Sequence, residues 1–200
     1  MKSLVITALS LALSSGCGSK DEKKADPPVI TYATLKVENS TSTTDNGSVA
    51  LTRVDACAKN ADSGLLTMTL GAADQSSLSI KVRDFKASAP TYSCKQAANN
   101  QTDENSVGDK YETCSVYATI LAAKGSTKIN GYSMYRETTA TKPFAYSGTC
   151  SIAFTDFTPT VKGTVTCTKM VQTLLESAAR NPIQATTTAD VTATAFSCTL

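Results

Sequence analysis

Two runs of the chain alternate with a period of two. Leu66, Met68 and Leu70 interleave with Thr67 and Thr69, and beyond a polar turn, Gly71–Ser77, Leu78, Ile80 and Val82 interleave with Ser79, Lys81 and Arg83. Successive side chains of a strand point to opposite faces, so each run offers one apolar face to a core and one polar face to water. The pair reads as two antiparallel strands with one side solvated. The same period recurs. Val29, Thr31, Ala33, Leu35 and Val37 share one face of an expected first strand, Val29–Val37, and Ser48–Val54 follows as a second. Cys114, Val116, Ala118 and Ile120 share another face, one strand falls around Lys128–Tyr135, and Cys150, Ile152 and Phe154 alternate again. Val161, Gly163, Val165 and Cys167 continue the pattern, and Asp190–Cys198 is the last strand. Threonine, a strand former, accounts for 31 of 200 residues. Only Met170, Val171, Leu174, Leu175 and Ala178 fall at helical spacing, with Asn181-Pro182 as the stop. These elements predict an all-β domain: an antiparallel β-sandwich or flattened barrel of about eight or nine strands with one short helix.

Cysteine usage adds a second constraint. Cys57, Cys94, Cys114, Cys150, Cys167 and Cys198 lie in the strand-rich part, with no CxxC pair and no histidine anywhere in the chain. No metal site is expected, and an even cysteine count in an exported chain reads as three disulfides. Six cysteines allow fifteen pairings. Lys95–Thr113 is the most polar stretch of the folded part and has a cysteine at each end, so Cys94–Cys114 is expected to staple a surface loop. Cys167–Cys198 and Cys57–Cys150 complete the preferred set.

The N-terminus points to export. Lys2 precedes an uncharged run, Leu4–Leu13, which ends in Ser14, Ser15 and Gly16 directly before Cys17. A positive start, a short apolar run and a small-residue exit describe a secretory signal, and spanning a bilayer takes roughly 20 apolar residues. With Cys17 as the first residue after that exit, the segment resembles a bacterial lipoprotein signal with its lipobox in the looser form. The resemblance implies cleavage after Gly16 and lipidation of Cys17. It also implies anchoring in the cell envelope, with Gly18 next to Cys17 resembling the pattern for the outer membrane. Several acyl chains on one cysteine would hold the protein stably, where a single chain holds only marginally. Met1–Gly16 is then the signal peptide and Cys17–Pro28 the lipidated cysteine with its tether. The tether has six charges and ends in two prolines, too little apolar surface to fold. Residues 29–200 form the single domain.

Chemistry is tightly bounded. Without histidine, Ser/His/Asp and Cys/His machinery and histidine-ligated zinc are excluded. Phosphate-cradling glycine motifs are absent, and no cofactor is expected. Without Lys2 the chain carries 18 basic and 17 acidic residues, a balance that gives nucleic acid no footprint. Asp45-Asn46-Gly47 lacks the ligand alternation of a calcium loop and reads as a turn. One internal similarity stands out: Ser79–Phe85 and Ser151–Phe157 share S-I-x-(V/F)-x-D-F, as equivalent strands of two halves would. It makes Asp84 and Asp156 the carboxylate pair that a polysaccharide hydrolase would use, although an aspartate at a strand end more commonly serves a turn. The best candidate binding surface is Tyr132, Met134, Tyr135, Phe144 and Tyr146, because rigid aromatic side chains with polar tips mark recognition sites for protein or glycan; the same five residues over fifteen positions more commonly close one end of such a domain by core or edge packing. The expectation is a non-enzymatic, lipid-anchored envelope protein that displays a β domain, with an envelope polysaccharide hydrolase or a purely structural envelope lipoprotein as the alternatives. Its partners would be the membrane, through the lipid, and a protein or glycan.

Overall fold

The computed structural model describes residues 28–43, 46–94, 113–121, 129–137, 144–146, 148–174 and 187–200. Cys17 and the tether up to residue 27 lie outside them, as do Leu175 and Ala178 of the expected helix. Thirteen strands make up the described part: β1 (Ala33–Asn39), β2 (Gly47–Leu51), β3 (Arg53–Lys59), β4 (Leu66–Gly71), β5 (Ser77–Val82), β6 (Thr91–Cys94), β7 (Cys114–Leu121), β8 (Ile129–Ser133), β9 (Tyr135–Glu137), β10 (Phe144–Tyr146), β11 (Thr149–Asp156), β12 (Thr160–Leu174) and β13 (Thr188–Thr199). All pairings are antiparallel. Among the described residues no helix is long and apolar enough to cross a membrane.

The main sheet runs β2-β1-β13-β12-β8-β7-β5-β4-β3. Its two outer strands, β2 and β3, are consecutive in the chain with Thr52 alone between them. The first half of this bent segment pairs β1 and the second half pairs β4, so the nine-strand path nearly closes on itself as a barrel. Apart from β1 and β13, which pair the first strand with the last, neighbours in the sheet are neighbours in the chain once the insertions β6 and β9–β11 are set aside. The interior follows the period-2 pattern. Leu35 and Val37 of β1, Leu66, Met68 and Leu70 of β4, Leu78, Ile80 and Val82 of β5, and Val116, Ala118 and Ile120 of β7 are all buried.

Strand β12 is long enough to take two partners along one edge. Lys162–Thr168 lies beside β11, and Val171–Leu174 beside β8. Between them the chain leaves β8, makes the β9–β10 ribbon as a separate two-stranded sheet, and returns at Gly148, whose N–H donates to the Met134 carbonyl at 3.1 Å. Gly148 is needed there. A Cβ would lie 3.2 Å from the Thr168 and Lys169 carbonyl oxygens and from Cα of Met170, where β12 bulges between Cys167 and Met170. Strand β6 adds to the free edge of β11.

The disulfides follow this topology rather than closeness in the chain. Cys94–Cys114 forms as expected, joining β6 to β7, which share no ladder. The other two expected pairs do not form. Cys150 lies directly opposite Cys167 in the β11–β12 register and bonds to it. Cys57 of β3 reaches Cys198 of β13, with 6.1 Å between Cα atoms. In the described pairings β3 has β4 alone as partner, and β13 beyond Thr194 has β12 alone. This bridge therefore closes the seam that the hydrogen-bond ladder leaves open.

Two further expectations change. Met170–Leu174 continues β12 as a strand in place of the first half of the predicted helix, because its backbone has β8 and β13 to pair with. The first strand starts at Ala33, leaving Val29 and Ile30 exposed. The repeated motif does not mark two halves, since β5 is a stave of the barrel and β11 belongs to the insertion. It does bring its phenylalanines together. Phe85 stacks on Phe157 at 5.4 Å and meets Phe154 edge-on at 4.8 Å.

Candidate functional site

The five residues of the expected surface divide at the end of β8. Tyr132 is fully buried and Met134 is 3% exposed, which removes both from any recognition surface. Tyr132 lies opposite Ala118 of β7 and Gln172 of β12, on the inward face. Its hydroxyl accepts a hydrogen bond of 3.2 Å from Nδ2 of Asn39 on β1, so the ring spans the barrel to a strand three places round the sheet. Met134 fills the fork where β8 ends and β11 begins, and its sulfur accepts the Val116 N–H at 3.2 Å. Both are aromatic or thioether groups recruited to close a barrel that would otherwise have a gap.

The other three, Tyr135, Phe144 and Tyr146, lie on the β9–β10 ribbon. Tyr146 is opposite Tyr135, and Phe144 is opposite Glu137. Directly opposed residues share a face of an antiparallel pair, so these register positions put three aromatic residues and one carboxylate residue on one face of the ribbon. A two-stranded ribbon has marginal stability by itself in water.

Asp84 and Asp156 do not form a buried pair. Asp84 follows β5 in a left-handed conformation (φ 50°) and is ion-paired with Lys86, while its carbonyl accepts the Tyr92 hydroxyl at 3.1 Å. That partner raises the Lys86 pKa, chiefly through the hydrogen bond from its ammonium to the Asp84 carboxylate. Asp156 ends β11, is exposed, and pairs with Lys162 across the hairpin at 3.2 Å. Each aspartate serves its own turn or hairpin. Asn46 likewise serves a turn, with Oδ1 accepting the Asn39 N–H at 2.5 Å. No group of three side chains suited to a metal ion occurs among the described residues.

A polar cluster that the sequence did not advertise sits inside the barrel. Asn39, Tyr132, Gln172 and Asn130 are inward-facing and buried near the end where β7 and β12 finish and β8 begins. Oδ1 of Asn39 accepts the N–H groups of Thr41 and Ser42 at 2.9 and 3.1 Å, so its amide is well used. Asn130 differs. It is fully buried, and neither its Oδ1 nor its Nδ2 has a hydrogen-bond partner. An unmade hydrogen bond on a buried group costs about 1–3 kcal/mol, so such a group calls for an explanation. The missed signal was the phase of β8: an inward Tyr132 and Met134 put Asn130, two and four residues earlier, on the same inward face.

No protein-family model, curated protein or solved structure matches this chain.

Proposed function

We infer that the protein is a non-enzymatic lipoprotein of the bacterial outer membrane that displays a disulfide-stapled β-barrel and binds a protein or glycan through the β9–β10 ribbon. The observation that carries this reading is the ribbon itself. It is an insertion between β8 and β11, is paired in a sheet of its own, and has Tyr135, Phe144 and Tyr146 at positions sharing one face. A marginal ribbon gains order from a bound partner, and aromatic side chains supply contact area at little entropic cost. Attachment rests on the LSSGC motif ending at Cys17. The acyl chains localise the barrel, the charged tether sets its reach, and the ribbon supplies affinity.

The test has two arms. Intact mass of the membrane-extracted protein should begin at Cys17 with added acyl chains, and six alkylations should appear only after reduction. A Tyr135→Ser/Tyr146→Ser variant should lose binding to isolated envelope glycan or envelope protein while keeping the wild-type Tm. An unlipidated mass would remove the anchor, and unchanged binding by the variant would remove the ribbon.

A further inference from the structure

We propose that the Cys57–Cys198 bridge is a redox switch, and that its reduction lets the chain ahead of β1 enter the seam as a strand. The segment is poised there. Tyr32 is held on both sides, its N–H donating to the Leu51 carbonyl at 2.8 Å and its carbonyl accepting the Ser197 N–H at 3.0 Å. Ahead of it Val29 and Ile30 are 77% and 63% exposed, although Val29 and Thr31 continue the period-2 face of Ala33, Leu35 and Val37. Past Tyr32 the chain flanking β1 runs on as β3 on one side and as the second half of β13 on the other. In the described pairings neither has a ladder partner toward the seam.

The bridge itself keeps the segment out. A disulfide holds its two Cα atoms within about 7 Å of each other, and those of Cys57 and Cys198 are 6.1 Å apart. Two strands that share a neighbour between them lie about 9.5 Å apart. The seam therefore holds a bridge or a strand, never both. Solvent access singles out the same bridge, because Cys57 is half-buried while the other five bridged cysteines are buried. A thiolate of a dithiol reductant attacks Sγ of Cys57, the sulfur within reach, and Cys198 leaves as a thiolate. The second thiol of the reductant then displaces Cys57. The dithiol ends as a disulfide, and its two electrons and two protons end on Cys57 and Cys198 as thiols. With the bond gone, the seam widens by roughly 3–4 Å to the spacing of a shared neighbour. Val29–Tyr32 then pairs with both edges, and Val29 turns inward. The switch stands independently of the lipid anchor and of the β9–β10 ribbon.

The full chain is treated with dithiothreitol without denaturant. One portion is alkylated and mapped by mass, and another is followed by amide hydrogen exchange. Two alkylations, on Cys57 and Cys198, should precede any on the other four cysteines. Exchange over Ile30–Tyr32 and Arg53–Lys59 should slow by about tenfold on reduction, and Cys57→Ser/Cys198→Ser should show the same slowing without reductant. Val29→Asp should abolish the slowing, because an unpaired carboxylate cannot turn into the barrel. The same substitution should leave the Tm of the oxidised protein unchanged, since residue 29 is exposed there. Two results overturn the proposal. Alkylation of another pair first, or of all six cysteines together, removes the selective switch. Exchange over Ile30–Tyr32 that stays as fast or quickens after reduction removes the strand insertion. Should the double variant fail to fold, the reduced wild type decides both points.

Discussion

The two ends of the barrel close by different chemistry. At the end where β4 begins and β5 finishes, closure is covalent and aromatic. Cys94, Cys150 and Cys167 lie in one register row across β6, β11 and β12, with Cys114 of β7 bonded at the edge of that row. Cys57–Cys198 spans the β3–β13 seam. Phe85, Phe154, Phe157, Tyr92 and Phe196 fill the space beneath, with ring centroids 4.8–6.0 Å apart. At the opposite end closure is by neutral hydrogen bonds, with Tyr132 reaching Asn39 and the Ser76 hydroxyl accepting the Leu121 N–H at 3.1 Å. The difference teaches where each device is used. Two of the three bridges, Cys57–Cys198 and Cys94–Cys114, join strands that share no ladder, while Cys150–Cys167 ties a pair already in register; polar side chains sit where ladders run to the rim and leave backbone groups to satisfy.

The sharpest way to break this comparison is to remove the seam bridge. Replacing Cys57 and Cys198 together by serine opens a loop of 141 residues, and in the chain-entropy view a loop of that size is worth about 4–5 kcal/mol. Replacing Cys150 and Cys167 opens one of 17 residues, worth about 3 kcal/mol, on strands that keep their hydrogen bonds. Denaturant midpoints should rank the first variant well below the second. Equal losses would mean that the seam is held by something other than the bridge.

A smaller effect tests the aromatic packing at the same end. A Cβ on Gly163 would meet the Phe196 ring at 2.8 Å and the Ala153 carbonyl. Gly163→Ala should cost about 1–3 kcal/mol as an overpacked site, read as a fall in denaturant midpoint with the near-ultraviolet aromatic signal altered.

At the polar end, Tyr132→Phe keeps the ring and deletes the hydroxyl that Asn39 bonds to. The expected loss is about 1 kcal/mol, again from the denaturant midpoint. A loss as large as that of the seam variant would show the polar end to be the main closure.

The smallest effect lies outside both ends. Arg53 and Asp55 form an ion pair on β3, and the hydrogen bond from the Arg53 guanidinium holds the Asp55 carboxyl below its ordinary value, against a smaller opposing desolvation. A depressed native pKa stabilises the fold at pH values above the unfolded pKa. That contribution disappears as pH falls through the native pKa. Asp55→Asn should lower Tm slightly at neutral pH, as exposed pairs contribute little, and the gap to wild type should close in acid.

Much of the fold was legible in the chain because a strand writes its burial into every second residue. Leu66–Leu70 and Leu78–Val82 pair in the expected hairpin, residue against residue. The same alternation carried β7, β11, the first half of β12 and β13. The helix over Met170–Ala178 misled because an apolar stretch of mixed spacing suits either period, and the partners β8 and β13 decide which one is realised over Met170–Leu174. The candidate site was half legible. Clustered aromatics between Tyr132 and Tyr146 flagged the region, but composition cannot say where a strand ends and an inserted ribbon begins.

The short strands β6, β9 and β10 and the second half of β12 lay beyond it, but by itself the sequence determined the long alternating strands and their inward faces, the formation of disulfides by all six cysteines, and the staple Cys94–Cys114. These are local matters of period, parity and polarity. Only the tertiary structure decided that Cys57 meets Cys198 and Cys150 meets Cys167, that Tyr132 and Met134 belong to the core, and that Asn130 is left inside with an unused amide. Each of these depends on which strands become neighbours when the sheet curves round on itself. Barrel closure brings together residues 141 positions apart, and no local pattern encodes a contact at that range.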